Sequence, residues 1–262
     1  MPNWNNNHIT LTATSDTAKG QLHEFIDRHI VVRGNRNWSD SLLELDSDSI
    51  IPMPEGIKRL MAMGPLVETD DGFKDNPEYD EEAERKQREQ NLKDYGYADW
   101  YEFRLNEWGS KWGFCHTAFY GHTGSPIDTK EELHSSLDLD GKIDFTTDCA
   151  WGPAVGLMKK ICELYPEIIF RCEWGEEQVT EYYGMFTYDK ETGWTEISKS
   201  EMDADVAYNM LDSLGLLIAD EDDGYFPNHR TGLVDYDERL NADSDEYIPE
   251  DERDGIEFGR AR

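Results

Sequence analysis

The stretch IDFTTDCAWGPAVGLMKKICELYPEIIFRCEW, residues 143–174, decides the fold. Its first part, Ile143 to Cys149, predicts a strand. Gly152-Pro153 then opens a segment whose apolar residues recur at helical spacing, and Pro166 ends that segment. The residues after this proline, up to Trp174, predict a second strand. The sequence therefore predicts a strand, a helix and another strand in immediate succession.

Further strands are predicted on both sides of this unit. Downstream, Tyr182 to Tyr188 and Trp194 to Ile197 predict two strands joined by a turn. Upstream, residues 8–14 alternate with period two, and a helical pattern follows from Ser15 or Asp16. The order strand, helix, strand, strand is typical of a ferredoxin-like sandwich. Whether the N-terminal strand and helix complete the same sheet or form a second one is left open.

The predicted fold is α+β, a ferredoxin-like antiparallel sheet with packed helices, a helical insertion and an acidic C-terminal extension. The run from Leu137 to Phe145 is predicted to be a hairpin, because Asp140-Gly141 suits a type I′ turn. Four parts are predicted along the chain: a strand–helix part of the body (1–66), an acidic loop and helical insertion (67–112), a strand–helix–strand–strand unit (113–199), and an amphipathic helix with an acidic segment (200–262).

The charge of the chain is its other informative property. It has 57 Asp and Glu against 25 Lys and Arg, a net charge of -32. This balance argues against direct binding to nucleic acid, because each phosphate contact needs a cation. Residues 201–262 hold 19 acidic and 5 basic residues, a net charge of -14. Aromatic residues interleave with these acids, so we expect this segment to be partly ordered on the body or on a partner.

Composition also bounds the class of protein. Aromatic residues make up 12% of the chain, enough to build a core despite the charge. No apolar run reaches 18 residues, so no membrane span is predicted. The N-terminus lacks the basic and apolar regions of a secretory signal, and the four cysteines have no CxxC spacing. These features predict a cytoplasmic protein with free thiols.

Several short motifs between residues 1 and 197 occur together. They are the opening Met1 to Trp4, the run Asn106 to Trp112, the run Phe145 to Pro153, the pair Tyr165-Pro166, and a Glu-Glu pair followed by Gly184-Met185-Phe186. In this combination they resemble the YubB-like family of phage and plasmid proteins, which have ferredoxin-like domains. The resemblance implies a mobile-element origin and a ferredoxin-like fold, and it implies no established activity.

No catalytic, cofactor or metal site is predicted. Cys115, His116 and His122 have no standard zinc spacing and lack a fourth nearby ligand. A calcium loop starting at Ser136 would need a carboxylate at its twelfth position, which is Thr147. The P-loop, Gly-x-Ser-x-Gly and HExxH motifs are absent from the sequence. We therefore expect a protein without enzymatic activity and without a cofactor.

The leading hypothesis is a phage-type protein that binds and inhibits a basic, nucleic-acid-handling host defence protein, by imitating the charge of nucleic acid. The partner-binding residues predicted by the charge are Asp220, Glu221, Asp222, Asp223, Asp235, Asp237, Glu238, Asp243, Asp245 and Glu246. The alternative is a small-molecule or nucleotide-binding module whose pocket uses Trp108, Trp112 and Trp151, although these rings are also typical of core packing. A third possibility is an enzyme of unrecognised type.

Overall fold

The computed structural model describes residues 3–33, 42–69, 72–176, 182–214, 216, 225–228 and 233–236, with backbone alone for 66–69, for 72–73 and for the last two segments. The strands are β1 (Trp4–Thr12), β2 (Ile30–Val32), β3 (Leu43–Leu45), β4 (Leu66–Thr69), β5 (Gly72–Asp75), β6 (Cys115–Tyr120), β7 (Pro126–Ile127), β8 (Lys142–Ala150), β9 (Ile169–Glu176), β10 (Tyr183–Asp189), β11 (Gly193–Ser198), β12 (Tyr225–Asn228) and β13 (Leu233–Tyr236).

The helices lie between these strands and on both faces of the main sheet. They are α1 (Asp16–His29), α2 (Ser47–Ile50), α3 (Glu55–Ala62), α4 (Glu81–Tyr95), α5 (Trp100–Phe103), α6 (Lys130–Asp140), α7 (Val155–Leu164) and α8 (Ala204–Ser213). A π-helical turn, Arg104–Trp108, continues α5, and a short 3-10 turn, Lys199–Glu201, precedes α8.

The main sheet has the order β11-β10-β9-β1-β8-β6-β7, and all its neighbouring strands are antiparallel. Its centre, β9-β1-β8-β6, together with α1 and α7, reproduces the order of a ferredoxin-like sandwich. The predicted α+β fold is thereby confirmed. Because β1 lies between β8 and β9, the N-terminal strand and the later unit share one sheet.

One face of the sheet is the main core. The buried side chains of β1 alternate along the strand, and the apolar ones among them are Ile9 and Leu11. They belong to one cluster with residues from helices α1, α6 and α7, such as Phe25, Leu137 and Leu157. The period-two pattern of the strand therefore sends one set of side chains into the core and the other to the opposite, open face.

The predicted hairpin from Leu137 to Phe145 is wrong. Its first half is the end of α6, and Gly141 is the helix C-cap in a left-handed conformation, with φ 68°. Thr129 and Glu132 form a capping box at the start of the same helix. An Asp-Gly pair suits a turn between strands, but a glycine of positive φ is also common at the end of a helix. Here the capping box stabilises the start of a helix, and Gly141 ends it.

Two helices predicted in the insertion agree with the structure, but the acidic loop predicted from residue 67 contains strand residues of the β4–β5 pair. The charged helix expected near residues 78–94 is α4, and the aromatic helix expected over 98–108 is α5 with its π-helical turn. Among the described residues, no helix is both long enough and apolar enough to cross a membrane.

Candidate functional site

Helix α8 covers one end of the open face. Its buried residues, including Met210 and Leu211, form a second apolar cluster with Tyr183 and Met185 of β10. Met185 is the cross-strand partner of Glu173, so this cluster lies on the face opposite the main core. The Asn6 side chain also donates to the backbone carbonyl of α8's C-cap residue, 3.4 Å away.

The fully exposed charged residues of α8 and of the end of the turn before it are all acidic: Glu201, Asp203, Asp205 and Asp212. Lys199, at the start of that turn, is half-buried. Asp203 caps the helix by accepting from the Asp205 amide, and Glu201 accepts from Ser198. This row of four residues, called the α8 acidic face below, is held in place because the opposite side of the helix is buried.

Most predicted partner-binding residues lie outside the described part of the chain. These are Asp220, Glu221, Asp222, Asp223, Asp237, Glu238, Asp243, Asp245 and Glu246. Asp235 is in β13, where the structure gives the backbone alone. The β12–β13 hairpin contacts α8, so this part of the acidic segment lies beside the helix.

Trp108, from the predicted pocket, is a core residue. It is buried, its indole N–H donates to the Ile51 carbonyl at 3.0 Å, and it packs edge-on against Phe103.

The other two predicted pocket residues come together near the surface. The Lys111 ammonium lies 4.8 Å from the ring centre of Trp112 and 4.6 Å from that of Trp151. Trp112 in turn is 5.5 Å from Trp4, whose ring is 5.1 Å from that of His116. We call these five residues the aromatic cluster. Trp151 is 47% exposed, so a ligand can reach it.

Backbone strain occurs within this cluster. His116, with φ 50°, and Trp151, with φ 68°, are the non-glycine residues of positive φ in the described part of the chain. His116 stands where the pairing of β6 with β8 is irregular. Such conformations cost about 1–3 kcal/mol each and concentrate at functional sites, which makes the aromatic cluster a candidate ligand site.

The three residues tested for zinc spacing do not converge. His116 Nδ1 is 2.9 Å from Asp148, whereas His122 Nδ1 is 2.7 Å from Asp140 at another place. Burial raises the pKa of the Cys115 thiol to about 11, which disfavours the thiolate that a metal requires. In the ranges that the structure describes, no three His, Cys, Asp or Glu side chains are arranged to hold a metal ion.

A charged row that the sequence did not predict crosses the open face. His8 of β1 hydrogen-bonds through Nε2 to Asp144 of β8, and its Nδ1 is 3.6 Å from Glu173 of β9. Lys142 lies 2.9 Å from Asp144, and Arg171 lies 2.5 Å from Glu173. Charges therefore alternate in sign along five side chains on three strands.

The two carboxylates determine the protonation of the central histidine. Hydrogen bonds with Asp144 and then Glu173 raise the pKa of His8 to about 9. Burial opposes ionisation of Asp144, yet hydrogen bonds from His8 and Lys142 hold its pKa below the usual value. His8 is thus a stable cation at neutral pH, which suits electrostatic cross-linking of strands better than proton transfer.

Together these features define a ferredoxin-like α+β protein with an acidic helix and an aromatic cluster on its open side. Residues 130–213, from α6 to α8, match the family described as "Ferredoxin-like domain in Api92-like protein". A similar solved structure is that of a protein api92 from Yersinia pseudotuberculosis. It is 12% identical, the alignment covers 76% of this chain and 99% of that one, and the TM-score is 0.36. No curated protein matches the chain.

Proposed function

We propose that the chain binds a basic, nucleic-acid-handling host protein through an acidic surface and inhibits it by occupying its nucleic-acid groove. The observation that carries this proposal is the α8 acidic face. Its carboxylates are presented on an anchored helix, and the sequence has no Lys or Arg between Lys199 and Arg230. The phage-type origin, the YubB-like relationship and the place of action in the host cytoplasm belong to the same proposal.

The amount of charge supports imitation of nucleic acid. Duplex DNA carries one charge per roughly 1.7 Å of axis, so a net charge of -32 equals that of about 54 Å of duplex. A folded chain of this length has a radius of gyration of about 18 Å, which gives a diameter of comparable size. Residues 201–262, which include the α8 acidic face, carry a net charge of -14, to which a basic groove would be attracted.

The test is displacement of DNA-binding proteins at constant ionic strength. Host proteins bound to DNA-cellulose are challenged with the full chain, and we expect it to elute a discrete basic protein. The test variant is Glu201→Gln, Asp203→Asn, Asp205→Asn and Asp212→Asn, in which Asn still caps the helix.

A matched control removes the same number of charges elsewhere. Glu55→Gln, Glu78→Gln, Glu131→Gln and Glu191→Gln neutralise four exposed carboxylates scattered over the body. We expect the control to elute the partner as the unmodified chain does, and the α8 variant to have lost most of this activity. Equal elution by the two variants would mean that net charge alone acts, and absence of elution by the unmodified chain would refute inhibition by displacement.

A second candidate is a small-molecule or nucleotide site at the aromatic cluster, favoured by the strained backbone of His116 and Trp151. Stacked indoles around an ammonium group suit a flat ligand that carries a negative charge. A thermal-shift screen with nucleotides tests this candidate. A rise in melting temperature that Lys111→Met abolishes would support it, and the absence of any rise at millimolar nucleotide would refute it.

A further inference from the structure

A cleft lies between the β2–β3 pair and the π-helical turn. Its volume is about 240 Å³. Its apolar wall is made by Val31, Leu45, Trp108, Trp112 and Phe114. Its polar wall contains Arg104 and the carboxylates of Glu44, Asp46 and Asp48.

Arg104 is the unusual member of this cleft. Its guanidinium carbon lies 5.1 Å from the ring centre of Trp100 and 4.7 Å from that of Trp108, one turn before and after it. Its Nε is buried and has no hydrogen-bond acceptor. Among the described residues, the cleft carboxylates of Glu44 and Asp48 form ion pairs with Arg33 and Lys58 and not with this side chain, although the chain has more than twice as many acidic as basic residues.

The carboxylates in the cleft each have another partner. Glu44 forms an ion pair with Arg33. Asp48 lies 2.5 Å from Lys58 and also accepts the Met53 amide at 2.8 Å.

The third carboxylate, Asp46, caps α2 by accepting the Asp48 amide at 3.0 Å. Each acidic residue that lines the cleft therefore already has an ion pair or a hydrogen bond within the protein. The Arg104 guanidinium is left available to a ligand. Burial lowers the pKa of Arg104, although the nearby Asp48 charge opposes this shift.

The backbone contributes to this arrangement. Arg104 opens the π-helical turn Arg104–Trp108, and single π-helical turns within α-helices are frequent at functional sites. Trp100 and Trp108 each form a cation–π contact with the guanidinium, and these contacts restrict its movement. The planar set of donors of an arginine matches the two oxygens of a carboxylate.

We propose that the cleft binds a small organic carboxylate, with the carboxylate paired to Arg104 and a flat apolar group against Trp112 and Phe114. The volume is below the roughly 300–1,000 Å³ of sites for drug-sized ligands, so the ligand is small. One cation without an ion pair, Arg104, lines the cleft among the described residues, so a ligand with a single negative charge is favoured over a polyphosphate. This site is distinct from the α8 acidic face and does not depend on the proposed inhibition.

Benzoate binding to the full chain tests the proposal, because the neutral isostere benzamide separates charge recognition from apolar contact. Binding is measured by isothermal titration calorimetry and by the change in tryptophan fluorescence. We expect benzoate to bind saturably and at least about tenfold more tightly than benzamide, as for a hydrogen-bonded charge pair. Arg104→Met should lower the benzoate affinity by at least about tenfold and leave benzamide unchanged.

Two further variants complete the experiment. Lys111→Met removes the other cation that is stacked on Trp112, and we expect it to leave benzoate binding unchanged. If Lys111→Met abolishes binding and Arg104→Met does not, the ligand occupies the aromatic cluster and this inference is wrong. Should Arg104→Met fail to fold, Arg104→Lys keeps the charge and loses the planar fork, and a weakened benzoate affinity is again required. Equal affinity for benzoate and benzamide would also overturn the proposal.

Discussion

His8 on β1 and Asp144 on β8 are hydrogen-bonded diagonally across the open face, since the residue directly opposite His8 is Thr146. Glu173, directly opposite His8 on β9, approaches the other imidazole nitrogen at 3.6 Å. One imidazolium thus joins the three central strands of the ferredoxin-like sheet. Removing His8 would leave the carboxylates of Asp144 and Glu173 without the cation between them. Removing Asp144 or Glu173 would leave Lys142 or Arg171 without its ion-pair partner.

The first prediction concerns the pKa of His8. We expect its imidazole to titrate near pH 9 in NMR spectra of the folded chain. Asp144→Asn should bring this pKa down towards 6.5, because the first of its two carboxylate partners is lost. Asp140→Asn, which removes the partner of the exposed His122, is the control and should leave His8 unchanged. A His8 pKa near 6.5 in the unmodified chain would contradict the prediction.

This histidine also makes stability depend on pH on the alkaline side. Its pKa is higher in the folded than in the unfolded state, so its contribution is complete below pH 6.5 and is lost as the pH rises to about 9. The contribution is about 2 kcal/mol once solvent screening of a partly exposed group is allowed for. Urea unfolding at pH 6.5 and pH 9 measures this loss, which His8→Gln should largely remove.

His29 makes the stability of the fold depend on pH below neutrality, because its pKa is lowered in the folded state. Its Nε2 accepts from the Tyr165 hydroxyl at 2.8 Å. Ser49 donates to the Asp46 carbonyl, so the Ser49 oxygen accepts from His29 Nδ1, also at 2.8 Å. With a neutral imidazole, both ring nitrogens of His29 and the hydroxyl groups of Tyr165 and Ser49 have hydrogen-bond partners. Burial, and then the Arg28 charge, lower the pKa of His29 to about 4.

We therefore expect stability to fall as the pH drops from 6.5 towards 4. In this range His29 is protonated in the unfolded chain but remains neutral in the folded chain. The free energy of unfolding therefore falls by up to about 2–3 kcal/mol. His29→Gln should be less stable at neutral pH but should show a flatter acid limb in urea unfolding between pH 4 and 6.5. An unchanged acid limb would mean that His29 is not the group responsible.

The sequence predicted the elements of the sheet better than the contacts between them. The strand-helix-strand unit from Ile143 to Trp174 has local signals, Pro153 at the helix start and Pro166 at its end, and the structure agrees with it. The hairpin at Asp140-Gly141 failed because a glycine after Asp can also be the C-cap of a helix, which is its role at the end of α6.

The His8 row was missed for a different reason. In a chain with 57 carboxylates, the identity of the partners of one histidine depends on which strands are neighbours. A signal was present, because His8 stands on the polar side of an alternating strand. It becomes specific only when β8 and β9 are known to flank β1, and this order is set by long-range packing. The Arg104 cleft was missed likewise, since its walls come from residues 31–48 and 104–114.

Gly156 marks a contact that tolerates no side chain. A Cβ at this position in α7 would overlap the Glu107 carbonyl oxygen and lie 3.0 Å from the Trp108 carbonyl carbon. We expect Gly156→Ala to lower the free energy of unfolding by about 3 kcal/mol, because backbone has to move. Gly20→Ala in α1 is the matched control: its Cβ meets nothing within 4 Å, so it should stabilise by about 0.5–1 kcal/mol. Thermal unfolding of the two variants measures both effects. Equal melting temperatures would contradict the prediction that only Gly156 is in a contact without room for a side chain.

Asn5 and Asn7 are neighbours on the buried side of β1, yet they differ in hydrogen bonding. Asn7 donates to the carbonyls of Asn5, at 2.9 Å, and of Thr147, at 3.1 Å. The Asn5 amide is fully buried, and neither its oxygen nor its nitrogen has a partner. Because an unpaired buried polar group costs about 1–3 kcal/mol, we expect Asn5→Leu to raise the free energy of unfolding by about 1–2 kcal/mol.

Asn7→Leu is the counterpart with the same change of shape. It removes the two hydrogen bonds that the Asn7 amide donates and the one that it accepts from the Cys172 thiol. The buried Thr147 carbonyl loses its side-chain donor, so stability should fall by about 1–3 kcal/mol. Urea unfolding of the two variants at neutral pH measures both effects. Opposite signs support the account, whereas destabilisation by Asn5→Leu as large as that by Asn7→Leu would show that the Asn5 amide is satisfied in solution.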